Sequence, residues 1–369
     1  MTINPLGSAT SAAIAAGIGG VTPQSGGVGP TVPLPAPGNT GPEPVPAVPP
    51  QAAVANLITA AAIAQDGLAG LFADLTAAQA VTALPDALKS AIQQVLASQP
   101  PLTADITGPD LRSAVSRSGL FLEAQLAQSL NGGTAPALAT DFKALLLQLV
   151  QGLANELEAD PGVMALMVEG AVPASAAPPS PRSRGTGRPP PPLRGGVTQG
   201  QGAAPPLIDT DMPQEPLLRV LDRDVRAALA RLELSQAASA RLPDGSSFWK
   251  FELPVAAPDG AAVAQFEISR DAPGHGGSPD ATATWRTRLA LNVTPSGPVQ
   301  AELALNGDMI HVTLWAEDTD TRTLLTADRM ALADALRAEG LSEAAVRIAP
   351  GAPTPPPAPA AGALLNRST

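Results

Sequence analysis

Apolar positions change their period twice along the chain. From about Ala52 to Gly170 they recur at helical spacing. Leu138, Phe142, Leu145, Leu149, Leu153 and Leu157 lie three and four residues apart, which predicts a helix with one apolar stripe. Asp141 sits near its start, and Asp160-Pro161-Gly162 predicts its stop. A second helix is predicted from Pro109 to Leu130, with Leu111, Val115, Leu122 and Leu126 inward. A third is predicted from Pro85 to Ala97 through Leu88, Ile92 and Leu96. These elements make a small all-α unit over 52–170.

From Pro216 a helix with Leu218, Leu221, Val225, Leu229 and Leu232 on one face opens a second unit. The period then drops to two, the mark of half-buried strands. Trp249, Phe251, Leu253 and Val255 alternate, Pro258-Asp259-Gly260 turns, and Ala264, Phe266 and Ile268 alternate again. Beyond a Gly/Pro loop, Trp285 to Val293 and Val299 to Leu305 follow the same rule around a Pro-Ser-Gly-Pro turn at 295–298. Asn306-Gly307 is the hairpin dipeptide expected next, since both residues tolerate positive φ. Ile310, Val312 and Leu314 form one face of the next strand; Met309, His311 and Trp315 form the other. One helix is predicted over 319–339, with Leu325, Leu332 and Leu336 inward and Gly340 as its stop. Val346 and Ile348 suggest a short last strand.

Composition sharpens this division. Among 369 residues there are 42 prolines, 34 glycines, 71 alanines and only nine aromatics, six of them between Phe248 and Trp315. A single globule of this length needs more large apolar side chains to offset backbone ordering. The predicted fold class is therefore multidomain with disordered segments. It comprises a disordered region 1–51, the helical unit 52–170, a Pro/Arg-rich linker 171–215, a compact α+β domain 216–350 (core 285–349) and a disordered tail 351–369. The linker carries Arg182, Arg184, Arg188 and Arg194 without intervening acids or aromatics, and reads as a solvated polyproline spacer.

Candidate chemistry is sparse. The absence of cysteine excludes disulfides, thiolate metal sites and a cysteine nucleophile. His275 and His311 are the only histidines, and His311 has no acid or serine at triad-like spacing. Glu317-Asp318-Thr319-Asp320 clusters carboxylates, but at a helix start, where acids cap free N–H groups. Asp222 and Asp224 read as the wet face of their helix. The glycines at 17, 19, 20, 26, 27 and 29 neither follow a strand nor open a helix, so they do not make a phosphate loop. Asn292-Val293-Thr294 matches a glycosylation sequon but lies in a predicted strand. The reading is of no catalytic, cofactor or metal site. A net charge of −11 argues against nucleic acid, and no apolar run of 18 residues predicts stable membrane insertion. The first basic residue is Lys89, so no secretory signal is predicted at the N-terminus.

Three motifs in order carry a family resemblance. They are Gly-Pro-Val-Gln-Ala-Glu-Leu at 297–303, the alternating strand 310–317 ending Ala316-Glu317, and the helix end Leu336-Arg337-Ala338-Glu339-Gly340-Leu341. Together they resemble the C-terminal domain of the flagellar hook-length control protein family, over about 65 residues; 216–270 resembles its longer variants more loosely. The family is also similar to needle-length regulators of virulence secretion systems. The resemblance implies a monomer that leaves the cytoplasm through the flagellar type III apparatus as a molecular ruler. Its C-terminal domain would contact the cytoplasmic domain of the export-gate switch protein and turn export from hook to filament substrates. Its N-terminal half would contact hook and hook-cap subunits. By the same analogy Val299, Ala301, Leu303 and Leu336 are the partner-binding residues, and no enzyme activity is implied.

Three alternatives stay open: an Ala/Pro-rich secreted structural or adhesive protein, a needle-length regulator of a related secretion system, and, more remotely, an enzyme using the acids at 317–320. Reach is compatible with a ruler. Residues 1–215 extend to roughly 700 Å at about 3.3 Å each, and keeping 52–170 helical shortens this by roughly 200 Å.

Overall fold

A computed structural model describes residues 50–103, 106–132, 138–159, 188–194, 196–242, 244–272, 283–341 and 343–353. The expectations for residues 1–49, the stop at 160–162, Arg182, Arg184, His275 and the tail from 354 lie outside the described residues.

Among the described residues six helices come first: α1 Pro50–Ala64, α2 Leu68–Gln79, α3 Asp86–Ala97, α4 Gly108–Ser116, α5 Leu122–Leu130 and α6 Phe142–Ala159. In α6 the predicted stripe is the buried face: Phe142, Leu145, Leu149 and Leu153 are buried and Leu157 is half-buried. Leu138 falls in a separate turn of 3₁₀ helix and is exposed. The single helix expected over 109–130 is two. Thr107 caps α4 through a reciprocal capping box with Asp110. Gly119 then breaks the path with φ +84°, packed so closely on Lys143 that a Cβ there would lie 2.7 Å from the Lys143 Cβ. The sequence signal for this break, Ser116-Arg117-Ser118-Gly119, lay inside an otherwise helical spacing.

Helix α7, Gln214–Ala238, leads into seven strands: β1 Ala240–Arg241, β2 Ser247–Ala257, β3 Gly260–Arg270, β4 Trp285–Val293, β5 Gly297–Asn306, β6 Met309–Ala316 and β7 Glu343–Pro350. They form one sheet in sequence order. Every neighbouring pair from β1 to β6 is antiparallel, and β7 joins β6 in parallel. A parallel neighbour requires a crossover, here supplied by α8 Thr319–Ala327 and α9 Arg329–Ala338. The one helix expected over 319–339 thus bends at Asp328, whose φ/ψ of −87°/0° leaves the helical region. Gly340 ends it as expected: its N–H donates to the Arg337 carbonyl, and the Leu341 N–H donates to Leu336. The hairpin register pairs Asn306 with Met309, so its two turn residues are Gly307 and Asp308, one position later than the dipeptide suggested. Of these only Gly307 takes a positive φ.

The main core ignores the boundaries drawn at 170 and 216. One apolar cluster joins Phe72, Leu75, Ile92, Leu146 and Leu149 of the early helices to Leu217, Leu221 and Leu232 of α7 and Val263 of β3. Helix α7 packs on α1, α2 and α6 as well as on β2. A smaller cluster seats Ala114 of α4 on Leu253, Val255 and Ala262.

The stretch 188–208 also departs from a solvated spacer. Arg188 donates to the Ile63 carbonyl, and Arg194 lies 4.9 Å from the Phe248 ring centroid. Ile208 is buried in the main core. Backbone carbonyls of a Pro-rich strand have no ladder of their own, so they accept from side chains instead. Gln65 and Arg231 bind the carbonyls of Pro189 and Pro190.

Candidate functional site

Cross-strand partners in an antiparallel sheet share a face, so register assigns every side chain of β5. Val299 pairs with Leu291 and Ala316, Ala301 with Leu289 and Leu314, and Leu303 with Thr287 and Val312. The three residues singled out on β5 therefore stand together in the middle of one apolar face. Ala301 is 8% exposed, while Val299, Leu303, Leu289, Leu291 and Leu314 are half-buried. The same face of β6 buries Ile310, Val312 and Ala316, and α8 packs on β6 while α8 and α9 both pack on β7. Leu336 is half-buried on α9, beside β7 rather than beside β5. The structure thus brings Val299, Ala301 and Leu303 together and sets Leu336 apart, at the margin of the face.

One end of this face carries an aromatic group. Trp249 and Trp285 stack with ring centroids 6.0 Å apart, and the Arg270 guanidinium lies 5.5 Å from the Trp285 centroid. Trp285 remains 38% exposed. Stacked tryptophans with an arginine are the residue types that dominate binding energy at protein interfaces.

The opposite face is built from charge. Arg231 of α7, 1% exposed, donates from Nε and Nη2 to the two carboxylate oxygens of Glu252 on β2. Glu252 also accepts from Gln201 and Gln265, and Arg231 from its other side donates to the Gln65 carboxamide. A ladder continues across the strands: Lys250 to Glu267 at 3.4 Å, Glu267 to Arg288 at 3.1 Å, and Arg288 to Glu302 at 3.2 Å. Burial holds the Lys250 ammonium below its ordinary pKa, with Glu267 pulling the other way.

None of this charged face was singled out in the sequence. Its members occupy the polar positions of a period-two pattern, which normally face water. The available signal was Lys250 and Glu252 between the bulky apolar residues of Phe-Trp-Lys-Phe-Glu-Leu, and Arg231 flanked by Ala230 and Leu232. Asp224, read as wet face, is likewise buried at 4% exposure and receives the Arg223 guanidinium at 2.8 Å. The acids at 317–320 do cap a helix: Asp318 accepts from the Thr321 N–H at 2.8 Å, which lowers its pKa. His311 is exposed on β6. Among the described residues no group of His, Asp or Glu side chains is arranged to hold a metal ion.

Residues 275–356 match the family model of the flagellar hook-length control protein FliK. The match falls on the segment that carries the three motifs. The matched segment takes in β4 to β7 with the crossover helices α8 and α9, and hence Val299, Ala301, Leu303 and Leu336. Helix α7 and strands β1 to β3 precede it and extend its sheet. No curated protein and no solved structure matches the chain.

Proposed function

We propose that this protein is an exported hook-length regulator. In this reading it measures the growing hook and, through its C-terminal domain, switches type III export from hook-type to filament-type substrates. The observation that carries the reading is the match of residues 275–356 to the hook-length control family model. Its sheet keeps a half-buried apolar strip on β4 and β5, with Trp285 at one end, which suits protein recognition rather than catalysis. The partner on that strip is the cytoplasmic domain of the export-gate switch protein, contacted by Val299, Ala301 and Leu303 with Leu336 at the margin. Hook and hook-cap subunits meet the N-terminal half. The protein starts in the cytoplasm and leaves through the flagellar apparatus.

The chemistry of the chain agrees with threading through a narrow channel. It has no disulfide to reduce, and its abundant alanine keeps side chains small. The helices of the N-terminal half, if kept during measurement, shorten its reach at 1.5 Å per residue.

Deletion of residues 285–349 in the producing cell tests the reading. Overlong hooks without filaments are expected by electron microscopy, together with loss of capture by the export-gate cytoplasmic domain in a pull-down. Hooks of normal length bearing filaments would overturn it and leave the structural or adhesive reading.

A further inference from the structure

Strand β3 pairs with β2 along its whole length, but with β4 only from Gln265 to Arg270. Beyond Ala290, β4 turns away and keeps only β5 as neighbour. A notch opens between the first residues of β3 and the last of β4, and residues 199–202 fill it. The Gln201 N–H donates to the Val263 carbonyl at 2.9 Å, and the Val263 N–H donates back at 2.8 Å. Upstream, the Gln199 N–H donates to the Gln265 side chain at 3.0 Å.

The notch is selective at each position. A Cβ on Gly200 would lie 2.7 Å from the Leu291 Cα, and one on Gly202 would lie 3.2 Å from the Asn292 side-chain nitrogen. Between them the Gln201 carboxamide is read at both ends. Its oxygen accepts from the Ala69 N–H at the start of α2 at 3.2 Å, and its nitrogen donates to Glu252 at 3.0 Å. Glu252 is itself fixed and neutralised by buried Arg231. Backbone pairing on an open strand edge plus a side-chain pocket is the arrangement by which sheets take up extended peptides. The fit of the chain's own segment is incomplete: its ladder is a single residue pair, and the buried Thr198 hydroxyl has no hydrogen-bond partner among the described residues.

We propose that this notch is a strand-accepting site for an extended peptide centred on Gly-Gln-Gly. It is closed in the free protein by residues 199–202 and opened when that segment is displaced by another molecule's. The inference is independent of the hook-length reading, because every residue of the site precedes the matched domain except Leu291 and Asn292.

The test uses the full chain carrying Gly200→Val, which bars the internal segment by overlap with the Leu291 backbone, and a dye-labelled synthetic peptide of residues 196–204. Fluorescence anisotropy is expected to show saturable binding to Gly200→Val and at least tenfold weaker binding to the unmutated chain, whose site is filled. A peptide with Leu for the central Gln should bind Gly200→Val at least tenfold more weakly. A variant with unchanged circular dichroism that binds neither peptide, or both alike, overturns the proposal. Should Gly200→Val not fold, amide exchange on the unmutated chain decides. The Val263 N–H is expected to exchange at least tenfold faster than the β5 amides, and equal rates would overturn the proposal.

Discussion

At single residues, the informative positions are charges taken out of water. Asp141 caps α6 by accepting from the Ala144 N–H at 3.1 Å, yet its second carboxylate oxygen is buried with no hydrogen-bond partner among the described residues. Burial raises its pKa above 3.8. The folded protein therefore binds more protons than the unfolded chain between 3.8 and the raised value, so this group takes away stability as the pH rises through that window. Urea midpoints should show the stability difference between unmutated protein and Asp141→Asn moving against the former from pH 3.5 to pH 7. Lys250 has the opposite sign. Its lowered pKa means that the unfolded chain holds more protons below 10.5, so stability rises with pH between the lowered value and 10.5. Relative to Lys250→Met, the unmutated protein is expected to gain as the pH approaches 10.5, in the same measurement.

Elements depend on single residues at their joints. Gly119 separates α4 from α5 at a positive φ and against the Lys143 side chain, so Gly119→Ala adds both strain and overlap. A loss of more than about 1 kcal/mol in chemical denaturation is expected. The joint between α7 and β2 is the Arg231–Glu252 pair, where removal of one partner strands a buried charge. Arg231→Met is expected to cost about 3–5 kcal/mol, and Arg231→Met with Glu252→Leu to recover most of it, as thermal melts of both variants will show. At this scale strict periodicity is what places an element. The strands β2 to β6 and helices α3, α6 and α7 fall where Leu, Val and aromatic spacing placed them. Helices α1 and α2 are not placed individually by the sequence analysis: alanine blurs the pattern of α1, whereas Leu68, Leu71, Phe72 and Leu75 give α2 a stripe that the structure buries. The break at Gly119 packs against Lys143, remote in sequence, and apolar spacing of helical period runs through both Gly119 and Asp328, so neither break shows in it.

For the whole molecule, the shared core makes a distinctive prediction. All three tryptophans lie in the sheet, while Phe72 and Leu149 lie in the early helices. Because both groups belong to one folded body with α7 between them, Leu149→Ala should lower the tryptophan-monitored unfolding midpoint, at a cost of about 2–5 kcal/mol. A tryptophan transition unmoved by that substitution would mean that the helical half and the sheet unfold separately.

The sequence by itself determined the period of most segments, both ends of α3 to within a residue and the apolar face bearing Val299, Ala301 and Leu303. It also carried the motifs behind the match to the hook-length control family. These follow from backbone geometry, which fixes where every second or every third and fourth side chain points. Only the tertiary structure decided which polar positions face protein. Once α7 and residues 188–208 cover the second face of the sheet, Lys250, Glu252 and Arg231 stop being a wet surface and become a buried network. That assignment depends on what packs against a strand, and the period of its own residues carries no record of it.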